Sequence, residues 1–140
     1  MSKKKGENIL NHKGILPDTC AWIEYFKPQE SKLKQTVEHL LLNEVLFISG
    51  PIIFELLQGL KSNNEKTIII DAFKSLEYIE MSEHLWFKSA ELSLKLRKEG
   101  KTIPMSDILI AACILENNLS IITIDNHFKE IPGVQIYNQF

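Results

Sequence analysis

The chain has 140 residues, 44% of them hydrophobic, 24% charged and 9% aromatic, with a formal net charge of −2. Those proportions suit one ordinary folded domain and exclude collagen-like, mucin-like and disordered classes, which need compositional extremes. They also exclude a global basic field for nucleic acid, leaving room only for a local patch.

The longest apolar run, Ile108 to Leu115, is eight residues, against roughly 18 for a bilayer span, so no membrane-crossing segment is expected. Lys3, Lys4 and Lys5 are followed by no apolar stretch, so the N-terminus does not read as a secretory signal. Cys20 and Cys113 form no metal or redox motif and read as reduced thiols of a cytoplasmic protein.

In chain order, residues 1–13 are polar and lysine-bearing and read as a flexible N-terminal segment, ahead of a single domain over 14–140. Gly14 to Asp18 reads as a short buried strand, with Pro17 at a place that needs no ladder donor. Thr19 to Phe26 bends into a helical turn, and Glu30 to Asn43 has helical composition and period. Val45 to Ile48 is a second strand, closed by Ser49-Gly50-Pro51, a helix-start signal that Ile52 to Leu60 continues.

Asn63 and Asn64 mark a turn before a helix reaching about Leu76, and Tyr78 to Met81 is a weak third strand. A long amphipathic helix over Ser82 to Lys98 is stopped by Gly100. Pro104 to Asn117 is apolar on most sides and so a buried helix. Leu119 to Ile124 is the best strand, ending at Asp125, and Val134 to Ile136 is a short last one.

Short apolar strands alternating with helices predict a three-layer α/β/α architecture around a central, mostly parallel five-stranded sheet. Ligands of such folds bind outside the carboxyl ends of the strands, where strand order reverses. The acids are distributed suggestively against that edge. There are 14 Glu but only four Asp, at 18, 71, 107 and 125, and Asp favours caps, turns and strand ends. Asp18 ends the first strand and Asp125 the strongest one. Asp107 lies in the first turn of the buried helix, and Glu55 interrupts the apolar run Ile52 to Leu57. Asp71, in mid-helix, reads as surface.

Each acid has a bland reading: an Asx-turn for Asp18 and Asp125, a helix-dipole partner for Asp107. A lone carboxylate such as Glu55 on a buried helix is costly unless paired, hydrated or bound to a cation. Four acids at one sheet edge would repel each other unless a divalent cation neutralises them. Carboxylate oxygens without a Cys/His set suit Mg²⁺ or Mn²⁺ better than Zn²⁺, and such sites serve phosphate chemistry.

Four segments in order carry a family resemblance: Gly14-Ile-Leu-Pro-Asp-Thr-Cys-Ala-Trp-Ile-Glu-Tyr-Phe26, Glu55 in its apolar helix, Ile103-Pro-Met-Ser-Asp-Ile-Leu-Ile-Ala-Ala112, and Thr123-Ile-Asp-Asn-His-Phe128. Their order and spacing resemble a PIN-domain ribonuclease of the VapC toxin type, over nearly the whole chain from Gly14 onward. Pro17 and Cys20 depart from the residues usual there. The resemblance implies a parallel sheet between helices, Mg²⁺ or Mn²⁺ dependence, endonucleolytic RNA cleavage, a homodimer and inhibition by a cognate antitoxin. It implies Asp18, Glu55, Asp107 and Asp125 as the acidic quartet. Asp18, Asp107 and Asp125 would hold the metal directly or through water, and Glu55 would complete the shell or activate the attacking water. Thr123 and Thr19 would orient a ligand or phosphate.

Lys98 and Lys101, with Lys95 and Arg97, are candidates for a phosphate-binding rim, and equally for the solvated end of a helix. His127 reads as a solvent-facing loop histidine, since no second His or Cys is nearby in sequence. Trp22, Tyr25 and Phe26 read as core or subunit contacts rather than base-stacking platforms. Two rivals stay open beside the nuclease: a non-catalytic PIN-like module binding RNA or protein, and a receiver-type signalling domain. A receiver needs paired acids after the first strand and a Lys after the last, whereas Asp18 has no adjacent acid and Asn138-Gln-Phe140 follows the last strand.

Overall fold

The computed structural model describes residues 12–137. Five strands and six α-helices alternate: β1 (Gly14–Pro17), α1 (Thr19–Phe26), α2 (Lys32–Asn43), β2 (Phe47–Ser49), α3 (Gly50–Gln58), α4 (Asn63–Phe73), β3 (Glu77–Ile79), α5 (Glu83–Lys98), α6 (Met105–Asn117), β4 (Leu119–Ile122) and β5 (Gln135–Ile136). A 3₁₀ segment over Asn126–Glu130 links β4 to β5. Of the expected N-terminal segment, residues 1–11 lie outside the described residues. Lys13 donates its backbone N–H to the Asn118 carbonyl at 2.7 Å, and the His12 ring meets the Ser120 hydroxyl at the same distance.

All strand pairs are parallel. Instead of one continuous five-stranded ladder, β1, β4 and β5 form one ladder and β2 and β3 another. A single bridge, Ile15 to Leu46, joins them, giving the order β3-β2-β1-β4-β5. Pro17 explains why the junction is so short. Ile15 sends its N–H to the Val45 carbonyl at 3.0 Å on the β2 side, and Asp18 sends its own to Ile122 at 3.1 Å on the β4 side. Alternation along the strand therefore points the Pro17 nitrogen toward β2, and proline has no hydrogen to donate. The β1–β2 ladder stops there, while β1–β4 runs on to the pairing of Pro17 with Ile122.

Gly14 is demanded by the same junction. A Cβ there would lie 2.8 Å from the Val45 carbonyl oxygen and still closer to the Phe47 ring, so only glycine lets the two ladders approach.

Ile15, Leu16, Ile121 and Ile122 are fully buried, as a parallel sheet covered on both faces requires. Every residue of α6 from Asp107 to Ile114 is buried, which explains its apolar circumference. Trp22, fully buried, packs with half-buried Tyr25, Phe26 and Phe73 in an aromatic cluster against the core. Asp71 is exposed near the end of α4 and pairs with Lys74 at 2.9 Å. No helix among the described residues is long and apolar enough to cross a membrane.

Because β1 is the central strand, β2 and β3 add on one side and β4 and β5 on the other. The strand order reverses between β1 and β4, and their carboxyl ends release Asp18 and the Thr123–Asp125 segment into the same crevice.

Candidate metal centre

Asp18 leaves β1 in an extended conformation and caps α1, its Oδ1 accepting the Ala21 N–H at 3.2 Å. The capping role and the site role coexist. Oδ1 also takes the Cys20 thiol proton at 2.7 Å, and Oδ2 accepts from the Thr123 hydroxyl. Only 4% of Asp18 is exposed, and its carboxyl is pushed above the usual range. Burial is the main cause, opposed by hydrogen bonds from Cys20, Thr123 and Ala21, with the Asp125 charge adding to the rise.

Thr123 follows β4 and is buried. Its Oγ1 accepts the Asp125 N–H at 2.9 Å, turning the chain so that Asp125 caps the 3₁₀ segment by accepting the His127 N–H at 2.9 Å. That turn carries the His127 ring back over the acids. Its Nδ1 lies 2.9 Å from Asp107 Oδ2 and 3.0 Å from Asp125 Oδ1. The expectation of a solvent-facing loop histidine is therefore corrected: half of the ring is exposed, but its Nδ1 is shared by two carboxylates. The signal was available in the spacing Asp125-Asn-His127, where a capping Asp folds the second residue after it back toward its own side chain.

Asp107 enters from the first turn of α6. Its carboxyl is also raised, first by burial, then by the charges of Asp125 and Glu55, against the lowering influence of His127. Glu55 comes from α3 and accepts the Thr19 hydroxyl proton at 2.6 Å. These mutual influences link all four carboxylates: Asp18 to Asp125, Asp125 to Asp107, and Asp107 to Glu55. Sites up to 107 residues apart in sequence meet in one crevice.

The two threonines are engaged by carboxylates. Thr19 orients Glu55, and Thr123 orients Asp18 and the Asp125 backbone. The two lysines stand apart from the acids. Lys101 donates to the Glu130 carbonyl at 3.0 Å and pairs with Glu99 at 3.5 Å, tying the α5–α6 loop to the 3₁₀ segment. Lys98 is exposed at the end of α5. Among the described residues, no Lys or Arg forms an ion pair with any of the four acids. His127 is the sole basic partner in that set, charged only when its ring is protonated.

The donor chemistry fits a divalent cation. Hard oxygens dominate, two carboxyls are held above their ordinary range by burial, and one imidazole stands among them. Ligand atoms of Asp107, Asp125 and His127 lie within 4.8 Å of one another. Asp18 stands outside that trio, both its oxygens already accepting hydrogen bonds.

Known proteins share this arrangement of elements. The PIN domain family matches residues 15–134. A VapC ribonuclease of Mycobacterium bovis, Mb1587, is 31% identical over 124 residues, spanning 86% of this chain and 92% of the relative. Ribonuclease VapC2 of Rickettsia felis is 31% identical over 107 residues, spanning 73% and 80%. Among solved structures, VapBC2 from Rickettsia felis, bound to a DNA fragment from its promoter, superposes with a TM-score of 0.76 at 24% identity, covering 90% of this chain and 98% of that one. A toxin–antitoxin complex from Klebsiella pneumoniae superposes with a TM-score of 0.67 at 28% identity, covering 86% and 94%. With a family match running from β1 through every helix to the end of the segment after β4, and VapC relatives along most of their length, the chain belongs to the PIN domain family of VapC ribonucleases.

Proposed function

We propose that the protein is a divalent-metal-dependent endoribonuclease, the toxin of a toxin–antitoxin pair, acting in the cytoplasm. One observation carries this reading: four carboxylates gather where β1 and β4 end, with no lysine or arginine among the described residues paired to them. RNA phosphates could approach such a crevice only with a cation between the two sets of negative charge.

Asp107 and Asp125 would hold the ion, and Asp18 would reach it through water. A bound Mg²⁺ or Mn²⁺ supplies Lewis acidity toward a phosphoryl oxygen and the counter-charge the acids lack. Glu55, steadied by Thr19, takes a proton from the attacking water as its oxygen bonds to phosphorus and the bond to the leaving ribose oxygen breaks. Thr123 keeps Asp18 and the Asp125 backbone in register, so the acids are arranged before substrate arrives.

The proposed partners are an RNA substrate, a cognate antitoxin and a second copy of the chain. An apolar cavity of about 410 Å³, lined by Ile23, Phe26, Leu60 and Ile68 and with Glu55 among its walls, supports an antitoxin segment docking beside the acids. Trp86 and Phe87, 45% and 65% exposed on α5, support a homodimer. The proposed phosphate rim keeps Lys98, while Lys101 contributes by fixing the loop before Asp107.

The test is cleavage of a structured RNA with Mg²⁺ or Mn²⁺, against EDTA and against Asp18→Asn and Asp107→Asn. Cleavage dependent on metal and lost in both variants is expected. Full activity in EDTA or in either variant overturns the assignment, and metal-independent RNA binding without cleavage would establish the non-catalytic module instead.

A further inference from the structure

The position of His127 reaches beyond the all-oxygen ligand set. Its Nδ1 lies 2.9 Å from Asp107 Oδ2 and 3.0 Å from Asp125 Oδ1. In an octahedral shell with bonds of about 2.0–2.1 Å at right angles, neighbouring ligand atoms sit about 2.9 Å apart. His127 Nδ1 thus already stands at the spacing of adjacent corners from each of the two carboxylate oxygens, and the three ligand atoms fall within 4.8 Å of one another. The imidazole is not held there by chance packing. Asp125 accepts the His127 backbone N–H at 2.9 Å, and buried Phe128 anchors the next residue in the core.

We propose that His127 is a nitrogen ligand of the metal, completing a two-carboxylate, one-imidazole set with Asp107 and Asp125 that favours a first-row transition ion over Mg²⁺. This rests on the metal-dependent reading of the site. The selectivity follows from ligand chemistry. Mg²⁺ is a hard ion that takes oxygen and gives up its water reluctantly, so an imidazole adds little to its binding. Transition ions gain from a nitrogen donor, increasingly along the series that begins with Mn²⁺. Asp18 is not among the groups whose ligand atoms cluster within 4.8 Å, and the third member of that cluster is His127.

Pulsed electron paramagnetic resonance on the full chain loaded with Mn²⁺ in a nitrogen-free buffer reads the ligand directly. A ¹⁴N coupling is expected in the wild type and its loss in His127→Gln, whose folding is checked by circular dichroism. Calorimetric titration adds the selectivity. His127→Gln should weaken Mn²⁺ by about tenfold or more and Mg²⁺ by less than about threefold. Mn²⁺ bound without ¹⁴N coupling, or equal weakening of both ions, overturns the inference and leaves the nuclease reading standing. Failure of the wild type to bind Mn²⁺, or binding indifferent to Asp107→Asn, overturns the metal site itself.

Discussion

Thr123 donates its hydroxyl proton to Asp18 across 105 residues of sequence, and in doing so locks the end of β4 to the end of β1. The same oxygen accepts the Asp125 N–H at 2.9 Å. One hydroxyl therefore sets the relative position of two of the acids, and its removal should be felt in both folding and chemistry.

Thr123→Val keeps the shape of the side chain but leaves a buried carboxylate oxygen without a donor and a backbone N–H without an acceptor. The expected destabilisation is about 1–3 kcal/mol, measured by urea unfolding, with a parallel loss of RNA cleavage. Thr123→Ser, which retains the hydroxyl, should recover most of both. A valine variant as stable as the wild type would show that the hydroxyl does not hold Asp18.

Glu55→Gln separates chemistry from stability. The glutamine can still accept the Thr19 proton, and it removes one of the charges that raise Asp107. Unfolding should be unchanged or slightly more difficult, while cleavage falls about 10²-fold or more if Glu55 takes the proton from water. Cleavage at the wild-type rate would remove Glu55 from that role.

The pH dependence of the metal-free protein follows from three groups. Asp18 and Asp107 titrate above the ordinary carboxylate value of 3.8 when folded. They impose no penalty below that value and a growing one as pH rises through their folded range. His127 is also raised, first by the Asp107 hydrogen bond, above an ordinary value of 6.5. Its contribution is complete below 6.5 and is lost as pH rises through the folded pKa. Both trends run the same way. In EDTA the Tm should fall from mildly acidic to alkaline pH, and Mn²⁺ should restore it most at the alkaline end, as thermal melts across that range would show. His127→Gln should lose the upper part of the slope. A Tm in EDTA that rises toward alkaline pH would contradict the assignment of these shifts.

Gly14→Ala tests the junction between the two ladders. The added Cβ would meet the Val45 carbonyl and the Phe47 ring. Because the clash is partly with backbone, a loss of about 1–3 kcal/mol or more is expected in urea unfolding. A neutral substitution would mean that β2 shifts freely against β1.

Much of the architecture can be read from period and punctuation. The helix over Thr19–Phe26 has the expected bounds, and α5 and α6 end where Gly100 and Asn118 take left-handed conformations, φ 79° and 52°. Strand edges were harder. Ile124 looks like strand by composition, yet it is 65% exposed beyond the end of β4. The ladder ends once the Thr123 side chain bonds the Asp125 backbone, a competition that residue type alone does not reveal.

The division of the site follows the range of the forces involved. That Asp18, Asp107 and Asp125 stand at strand ends or a helix start, and that Glu55 interrupts an apolar helix, was determined by the linear sequence, because capping, hydrophobic period and turn chemistry act over a few residues. What each side chain faces was decided only by tertiary structure. The Thr19–Glu55 bond, the Thr123–Asp18 bond and the meeting of His127 with Asp107 depend on how β1, α3, α6 and the turn after β4 are brought together. Contacts between groups 20 to 105 residues apart are set by packing of the whole core, and no local pattern encodes them.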